Sequence, residues 1–188
     1  MKNVSRESQL LKIAEEIRAC ALCRQGKVGL AVAGEGNPYA EIAFIGEAPG
    51  KEEAKVGRPF IGRSGRFFRS LIREIGLEEK EVFITSPVKY LPRRGTPTRA
   101  DIVHGRTHLL RQLAVIDPKI IVLLGSVASL AVLDREVAVS LEHGKMIKKG
   151  DKTYLITFHP AAAMRFPKIR EAFYEDFKKL KGLIEEEH

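Results

Sequence analysis

The chain has 188 residues, 44% of them hydrophobic, which suits one domain (residues 1–188) with a sizeable core and excludes disordered and fibrous classes. The formal net charge of +8, from 32 basic and 24 acidic residues, favours a polyanionic partner such as nucleic acid. The longest apolar run, residues 120–124, is too short for a bilayer, and the charged N-terminus lacks a signal-peptide pattern, so we expect a cytoplasmic protein without a membrane partner.

Short apolar runs alternate with helical patterns along the chain. Buried strands are predicted at residues 42–45, 82–85, 120–124 and 154–158. Helices are predicted at residues 5–21, 64–75, 98–115, 126–133 and 168–184, with Thr98 and Asp101 in a capping pattern. Such alternation is typical of βαβ units. The predicted fold is therefore α/β, with three α/β/α layers and a four-stranded, mainly parallel central sheet.

Three loops follow predicted strands and should meet at the carboxyl edge of the sheet. They cover residues 46–63, 86–97 and 159–167. Ligands bind at this edge in parallel α/β folds, so we expect the active site there. The first loop has neither the G-x-G-x-x-G pattern nor the P-loop lysine, which removes the usual support for dinucleotide binding and ATP hydrolysis.

Several residues in these loops have both a chemical and a structural interpretation. His159 directly follows a buried strand, where it can stabilise a developing negative charge or move a proton, or simply hydrogen-bond to its own turn. Phe60 is either a stacking platform or a plug in the core. Ser64 and Gly65 begin a predicted helix, whose N-terminus suits a phosphate group.

The chain contains two cysteines, Cys20 and Cys23. Their C-x-x-C spacing is typical of half of a metal or cluster site, or of a redox pair. The structural alternative is two small residues near a helix end. Two cysteines cannot build a disulfide scaffold.

Two motifs together resemble a known family. GEAPGKEEAKVGRPFIGRSG at residues 46–65 and HPAAAMR at residues 159–165 resemble the signature motifs of the family 4 uracil-DNA glycosylases, the iron–sulfur class. The C-x-x-C pair and the PKIIVLLG strand are also similar to that family, so the resemblance covers nearly the whole chain. It implies an enzyme that flips uracil out of DNA and hydrolyses its bond to deoxyribose, leaving an abasic site.

The resemblance implies roles for residues around the pocket. His159 matches the histidine that stabilises the departing uracil anion, and Phe60 matches the aromatic ring on which the flipped base stacks. Glu53 and the backbone at Ala48 match positions that line the pocket. Glu47 matches the motif glutamate, to which we assign water placement or pocket polarity.

The resemblance also implies contacts to DNA and to the base edge. Ser64 and Gly65 would hold a phosphate, and Arg165 with residues 161–164 would enter the minor groove. Ser86 stands where the family typically has an asparagine that offers the base both a donor and an acceptor. We expect this difference to reduce base specificity by about 1–3 kcal/mol.

The family's [4Fe–4S] cluster needs four cysteines, and this chain matches only the first pair. Tyr90 stands at the third position and Gly105 close to the fourth. We therefore expect no metal, with Tyr90 packed toward Cys20 and Cys23 and Gly105 leaving room opposite it.

Two metal-bound alternatives stay open. One is a cluster with unusual ligands. The other is a Cys₂His₂ zinc site that adds His104 and His108, which lie i, i+4 on one predicted helix. Helical phase turns His104 away from Gly105, which counts against this zinc site.

The leading interpretation is a monofunctional DNA glycosylase that acts as a monomer on uracil-containing DNA, with a processivity clamp as a candidate partner. One alternative is a DNA-binding paralogue with altered base preference or little turnover, which Ser86 and the missing cysteines favour. The other is a small-molecule hydrolase that uses Glu47 and His159.

Overall fold

A mostly parallel sheet separates two layers of helices. The structure, a computed structural model, describes residues 4–187. Its strands are β1 (Lys27–Val28), β2 (Glu35–Gly36), β3 (Ile42–Ile45), β4 (Val82–Thr85), β5 (Leu91–Pro92), β6 (Ile120–Leu124), β7 (Met146–Lys149) and β8 (Lys152–Thr157). Its helices are α1 (Arg6–Ala19), α2 (Ala21–Arg24), α3 (Lys51–Val56), α4 (Arg63–Glu74), α5 (Arg99–Ile116), α6 (Ser126–Leu133), α7 (Val139–Glu142), α8 (Pro160–Arg165) and α9 (Pro167–Glu187).

The central sheet has the strand order β2-β4-β3-β6-β8-β7. Its four inner strands are parallel and are those predicted from the apolar runs. The strands β2 and β7 pair antiparallel at the two edges, so the sheet has six strands rather than four. Neither edge strand contains a buried apolar run, because β2 has two residues and β7 is largely exposed. A separate ribbon joins β1 to β5.

Alternating side chains of the inner strands build one core on each face of the sheet. On one face, the Phe44 ring lies 5.1 Å from the Phe68 ring of α4 and 6.2 Å from the Phe177 ring of α9. On the other face, Ile45 belongs to a cluster that includes Leu109 of α5 together with residues of α6. This period of two is the normal pattern of a strand, and it confirms the predicted three-layer α/β/α architecture.

The structure places two short helices within segments that were predicted as loops. One is α3, within residues 46–63, and the other is α8, which begins just after His159. Each has six residues, too few to show a helical apolar stripe in the sequence. The predicted capping box at Thr98 and Asp101 is confirmed. None of the helices in residues 4–187 has both the length and the apolar character that a membrane span requires.

Arg69 is a buried cation on α4 that holds the preceding loop in place. Its Nε donates to the carbonyl oxygen of Phe60 at 3.0 Å, and its Nη2 donates to that of Pro59 at 2.8 Å. The same guanidinium forms ion pairs with Glu35 and Glu79. One side chain therefore ties edge strand β2, helix α4 and the loop through Phe60 together.

We expect Arg69→Met to lower the free energy of unfolding by about 3–5 kcal/mol. The substitution keeps a side chain of similar length but leaves two carbonyl oxygens without this donor and Glu35 without its buried partner. Urea unfolding followed by circular dichroism measures the change.

Arg73→Met is the matched control, because Arg73 also pairs with Glu79 but is largely exposed. Arg73→Met should lower the free energy of unfolding by less than about 1 kcal/mol, because surface ion pairs contribute little to stability. Equal losses in the two variants would contradict the role assigned to Arg69.

Candidate active site

A pocket of about 300 Å³ lies at the carboxyl edge of the sheet. All three loops expected to converge there contribute to its wall. The predicted site residues in the wall are Glu47, Ala48, Glu53, Phe60, Ser64, Ser86 and His159. The wall also contains three apolar residues that the sequence does not single out, because their side chains have no reactive or hydrogen-bonding group: Val32, Pro59 and Leu91.

The Phe60 ring forms a supported wall of this pocket. It lies 4.8 Å from the Phe68 ring and 6.0 Å from the His159 ring, the latter pair being near-parallel at 30°. Gly46 makes room for it, because a Cβ at that position would lie 2.6 Å from the Phe60 Cζ atom. Phe60 is half-buried. Part of its ring packs against neighbouring side chains, and the remaining part lines the pocket. It is not an internal plug.

Glu53 fixes the backbone that follows Phe60. Its buried Oε1 accepts the N–H groups of Ile61 at 2.8 Å and Gly62 at 2.7 Å. Gly62 is the N-cap of α4 and has no side chain to do this. The carboxylate therefore satisfies free N–H groups at the start of a helix, where negative charge is also favoured. Glu53 therefore lines the pocket and also holds the backbone at the start of α4.

His159 enters the pocket as a neutral hydrogen-bond donor. Its Nδ1 accepts the N–H of Ala161 at 3.2 Å and so caps α8. Burial lowers the pKa of His159 to about 4, although the charge of Glu53 acts in the opposite direction. With Nδ1 used as an acceptor, the proton of the neutral ring resides on Nε2. His159 thus offers one N–H donor near neutral pH.

Ser86 and Glu47 are linked through the backbone of Val88. The Ser86 hydroxyl donates to the Val88 carbonyl oxygen at 2.9 Å, so its oxygen can still accept but its proton is engaged. The Val88 N–H donates to the Glu47 carbonyl oxygen at 3.4 Å. Burial raises the pKa of the Glu47 carboxyl. Ser86 therefore presents an acceptor to the pocket, and Glu47 a carboxyl that protonates more readily than usual.

Of the residues predicted to contact DNA, one lies in the pocket wall, one packs against backbone and one is exposed. Ser64 lies in the pocket wall, in the first turn of α4. Gly65 packs against the backbone of Phe60, where a Cβ would lie 2.1 Å from the carbonyl carbon. This close approach accounts for the glycine independently of DNA. Arg165 is exposed at the end of α8, with its guanidinium 5.3 Å from the centre of the Phe166 ring.

A second group of polar residues lies outside the pocket wall. Cys20, Cys23, His104 and His108 each offer one ligand atom, and these atoms lie within 4.8 Å of one another. The four residues could therefore hold a metal ion. Their side chains come from the start of α2 and from one side of α5.

Two expectations about this region were wrong and one is confirmed. The direction of His104 does not count against a Cys₂His₂ group, since its Nε2 lies 3.2 Å and 3.3 Å from the two cysteine sulfurs. Gly105 does not leave an open space, because the Pro87 carbonyl oxygen would lie 2.1 Å from a Cβ there. Position 105 therefore faces the loop after β4, and the cysteine pair faces the adjacent histidine. Tyr90 packs in one buried cluster with Cys23, as predicted.

Comparison with known proteins places the chain in a family. The model of the Uracil DNA glycosylase superfamily matches residues 33–181. A type-4 uracil-DNA glycosylase from Sulfurisphaera tokodaii is 40% identical over 185 residues, covering 93% of this chain and 84% of that protein. One from Thermotoga maritima is 35% identical over 190 residues, covering 97% and 98%. The chain therefore belongs to the uracil-DNA glycosylase superfamily and, within it, to the type-4 uracil-DNA glycosylases.

Proposed function

We propose that this protein removes uracil from DNA as a monofunctional glycosylase, hydrolysing the N-glycosidic bond of deoxyuridine in base excision repair. The observation that carries the proposal is the pairing of a half-exposed Phe60 with a neutral His159 donor in one pocket, with ring centres 6.0 Å apart. A planar base that leaves as an anion needs a stacking surface and a donor at a carbonyl oxygen.

The reaction follows from how charge develops when the bond breaks. The departing uracil gains negative charge on its ring while the deoxyribose becomes cationic, and water then adds to the sugar. The Nε2–H of His159 donates to a carbonyl oxygen of the uracil and stabilises that charge without giving up its proton first. Phe60 holds the flipped base by stacking.

The remaining wall residues support this arrangement. Glu47 places the attacking water or supplies polarity, and its raised pKa reflects a partly desolvated carboxyl. The backbone of Ala48 and the side chain of Glu53 line the base pocket. Ser86 accepts a hydrogen bond from the base edge, where the N3–H of uracil is the matching donor.

DNA contacts are proposed at the edge of the pocket and beyond it. The start of α4 at Ser64 and Gly65 holds a phosphate, and Arg165 with residues 161–164 enters the minor groove beside the flipped nucleotide. The net charge of +8 supports binding to a polyanion. We propose that the domain of residues 1–188 works as a monomer in the cytoplasm, with a processivity clamp as a further candidate partner.

A second candidate function is recognition of flipped bases with little turnover. The observation that favours it is the engaged Ser86 hydroxyl, which cannot donate to the base in this arrangement. Incubation with a labelled uracil-containing oligonucleotide, followed by alkaline cleavage, distinguishes the candidates. Strand breaks at uracil support excision, and binding without breaks supports recognition alone. Neither breaks nor binding would instead favour a small-molecule hydrolase.

His159→Ala should lower the single-turnover rate of uracil excision by roughly 10²–10³-fold and leave DNA affinity nearly unchanged, because the lost donor acts on the developing charge. His159→Ser is the informative companion, since serine is a good N-cap for α8 but is too short to reach the base. Both variants should lose the single-turnover excision rate to the same extent. Recovery of the rate in the serine variant would mean that only the cap mattered.

The imidazole of His159 should titrate near pH 4 in the folded protein, as followed by NMR of ring-labelled histidine. Because the unfolded value is about 6.5, the neutral form is favoured by folding. This contribution to stability is present above about pH 6.5 and is lost as the pH falls toward 4. A folded-state midpoint at or above 6.5 would show that burial does not favour the neutral ring.

Ser86→Asn should increase the preference for uracil over cytosine, by an amount equivalent to about 1–3 kcal/mol. An asparagine offers the base edge a donor as well as an acceptor, whereas the acceptor of Ser86 also suits the amino group of cytosine. Excision rates on matched oligonucleotides measure the ratio, with Ser86→Ala as the control that lacks both groups. An unchanged ratio in all three proteins would show that this position does not face the base.

A further inference from the structure

The cluster that the family implies does not fit this chain. Tyr90 occupies the third ligand position as a buried side chain that is 2% exposed. Its hydroxyl lies 3.5 Å from the carbonyl oxygen of Ile17 and 3.4 Å from that of Arg18. At Gly105, near the fourth position, even a Cβ would clash with the Pro87 carbonyl oxygen at 2.1 Å. The two missing thiolates therefore have no space in the packed protein.

The polar atoms of the second group are not satisfied by hydrogen bonds alone. His104 Nε2 lies 3.2 Å from Cys20 Sγ and 3.3 Å from Cys23 Sγ. One ring nitrogen therefore lies within contact distance of both sulfurs. His108 Nδ1 is buried and has no hydrogen-bond partner among the described residues. Two thiols and an imidazole thus converge within contact distance, and a second imidazole beside them has a buried nitrogen with no hydrogen-bond partner among the described residues.

The spacing of these atoms is close to what a single tetrahedral ion requires. Zn–S bonds of about 2.3 Å and Zn–N bonds of about 2.0 Å place tetrahedral ligand atoms about 3.3–3.8 Å apart. The observed sulfur–nitrogen distances are 3.2 and 3.3 Å, and all four ligand atoms lie within 4.8 Å of one another. In a [2Fe–2S] centre with two cysteines on one iron and two histidines on the other, sulfur and nitrogen belong to different metals and lie farther apart.

We propose that Cys20, Cys23, His104 and His108 bind one structural Zn²⁺ in place of the family's iron–sulfur cluster. Two thiolates and two neutral imidazoles make the site electrically neutral with a divalent ion, which suits its partial burial. The N–H of Cys23 already donates to Cys20 Sγ at 3.1 Å, an orienting bond for a metal-bound thiolate.

The ion would join the N-terminal helices to the long helix α5. The cysteines lie at the start of α2, directly after α1, and the histidines lie one turn apart on α5. None of the four residues lines the candidate active site, so the role of the ion is structural. The inference rests on these side chains and does not depend on which base the enzyme removes.

Metal analysis of the purified protein, expressed with both iron and zinc supplied, tests the proposal. We expect about one zinc per chain, negligible iron and no brown colour. X-ray absorption at the zinc edge should report two sulfur neighbours at about 2.3 Å and two nitrogen neighbours at about 2.0 Å. This measurement uses the unmodified chain and does not depend on whether variants fold.

Variants then identify the ligands. His104→Ala with His108→Ala, and separately Cys20→Ser with Cys23→Ser, should lose most of the zinc, while His143→Ala retains it as a histidine control outside the group. Cobalt in place of zinc should give the visible bands of a tetrahedral thiolate site in the parent protein. Stoichiometric iron, absence of stoichiometric metal, or a zinc shell without two sulfurs and two nitrogens would each overturn the proposal.

Discussion

The candidate active site depends on one turn that is held in an unfavourable backbone conformation. Phe60 has a φ of 52°, in the left-handed region that non-glycine residues occupy at a cost of about 1–3 kcal/mol. Arg69 binds carbonyl oxygens on one side of the turn, and Glu53 binds the next two N–H groups on the other. Gly65 lets α4 approach the same backbone. The position of the ring is thus determined by buried side chains on two helices, Glu53 of α3 and Arg69 of α4.

The same turn shows which parts of the protein could be predicted from its sequence. Phe60 and His159 follow strands whose apolar runs are unambiguous, and parallel strands bring their carboxyl ends to one edge, so their meeting was predictable. The burial of Arg69 could not be predicted, because an arginine in an amphipathic helix normally lies on the solvent side. Its burial depends on Glu35, which is far away in sequence and belongs to an edge strand of two residues with no apolar signal. Long-range charge pairing leaves no periodic pattern to read.

The metal-ligand group shows a different limit. The i, i+4 spacing of His104 and His108 was visible in the sequence, and both lie on one side of α5. The prediction against this group is wrong because the cysteines face His104 and not position 105. In the structure the Pro87 carbonyl occupies the space beside Gly105. The helix therefore presents the neighbouring residue to the cysteines, and a family's ligand geometry cannot be transferred once its ligands are lost.

Two of the positions that depart from the expected family pattern, Ser86 and Tyr90, belong to one packed segment, residues 86–90, and the third, Gly105, packs against that segment at Pro87. Ser86 lies at the pocket, and Tyr90 packs with the cysteines. Between them Lys89 is fully buried, its Nζ 2.7 Å from Thr85 Oγ1 and 2.8 Å from the Gln112 side-chain oxygen. Burial lowers the pKa of Lys89 to about 7. The amine is removed from water, and its hydrogen bonds to Thr85 and Gln112 take the place of solvent.

These contacts connect the pocket wall at Ser86 to the buried cluster of Tyr90 and the cysteines. The Val88 carbonyl oxygen accepts the Ser86 hydroxyl, and the Val88 N–H donates to the Glu47 carbonyl oxygen of the first pocket loop. The Lys89 amine donates to the Gln112 side chain and so joins the segment to α5. Ser86 at the pocket and Tyr90 beside the cysteines are therefore held by one connected set of contacts, and a substitution at either position acts on a segment that the other shares.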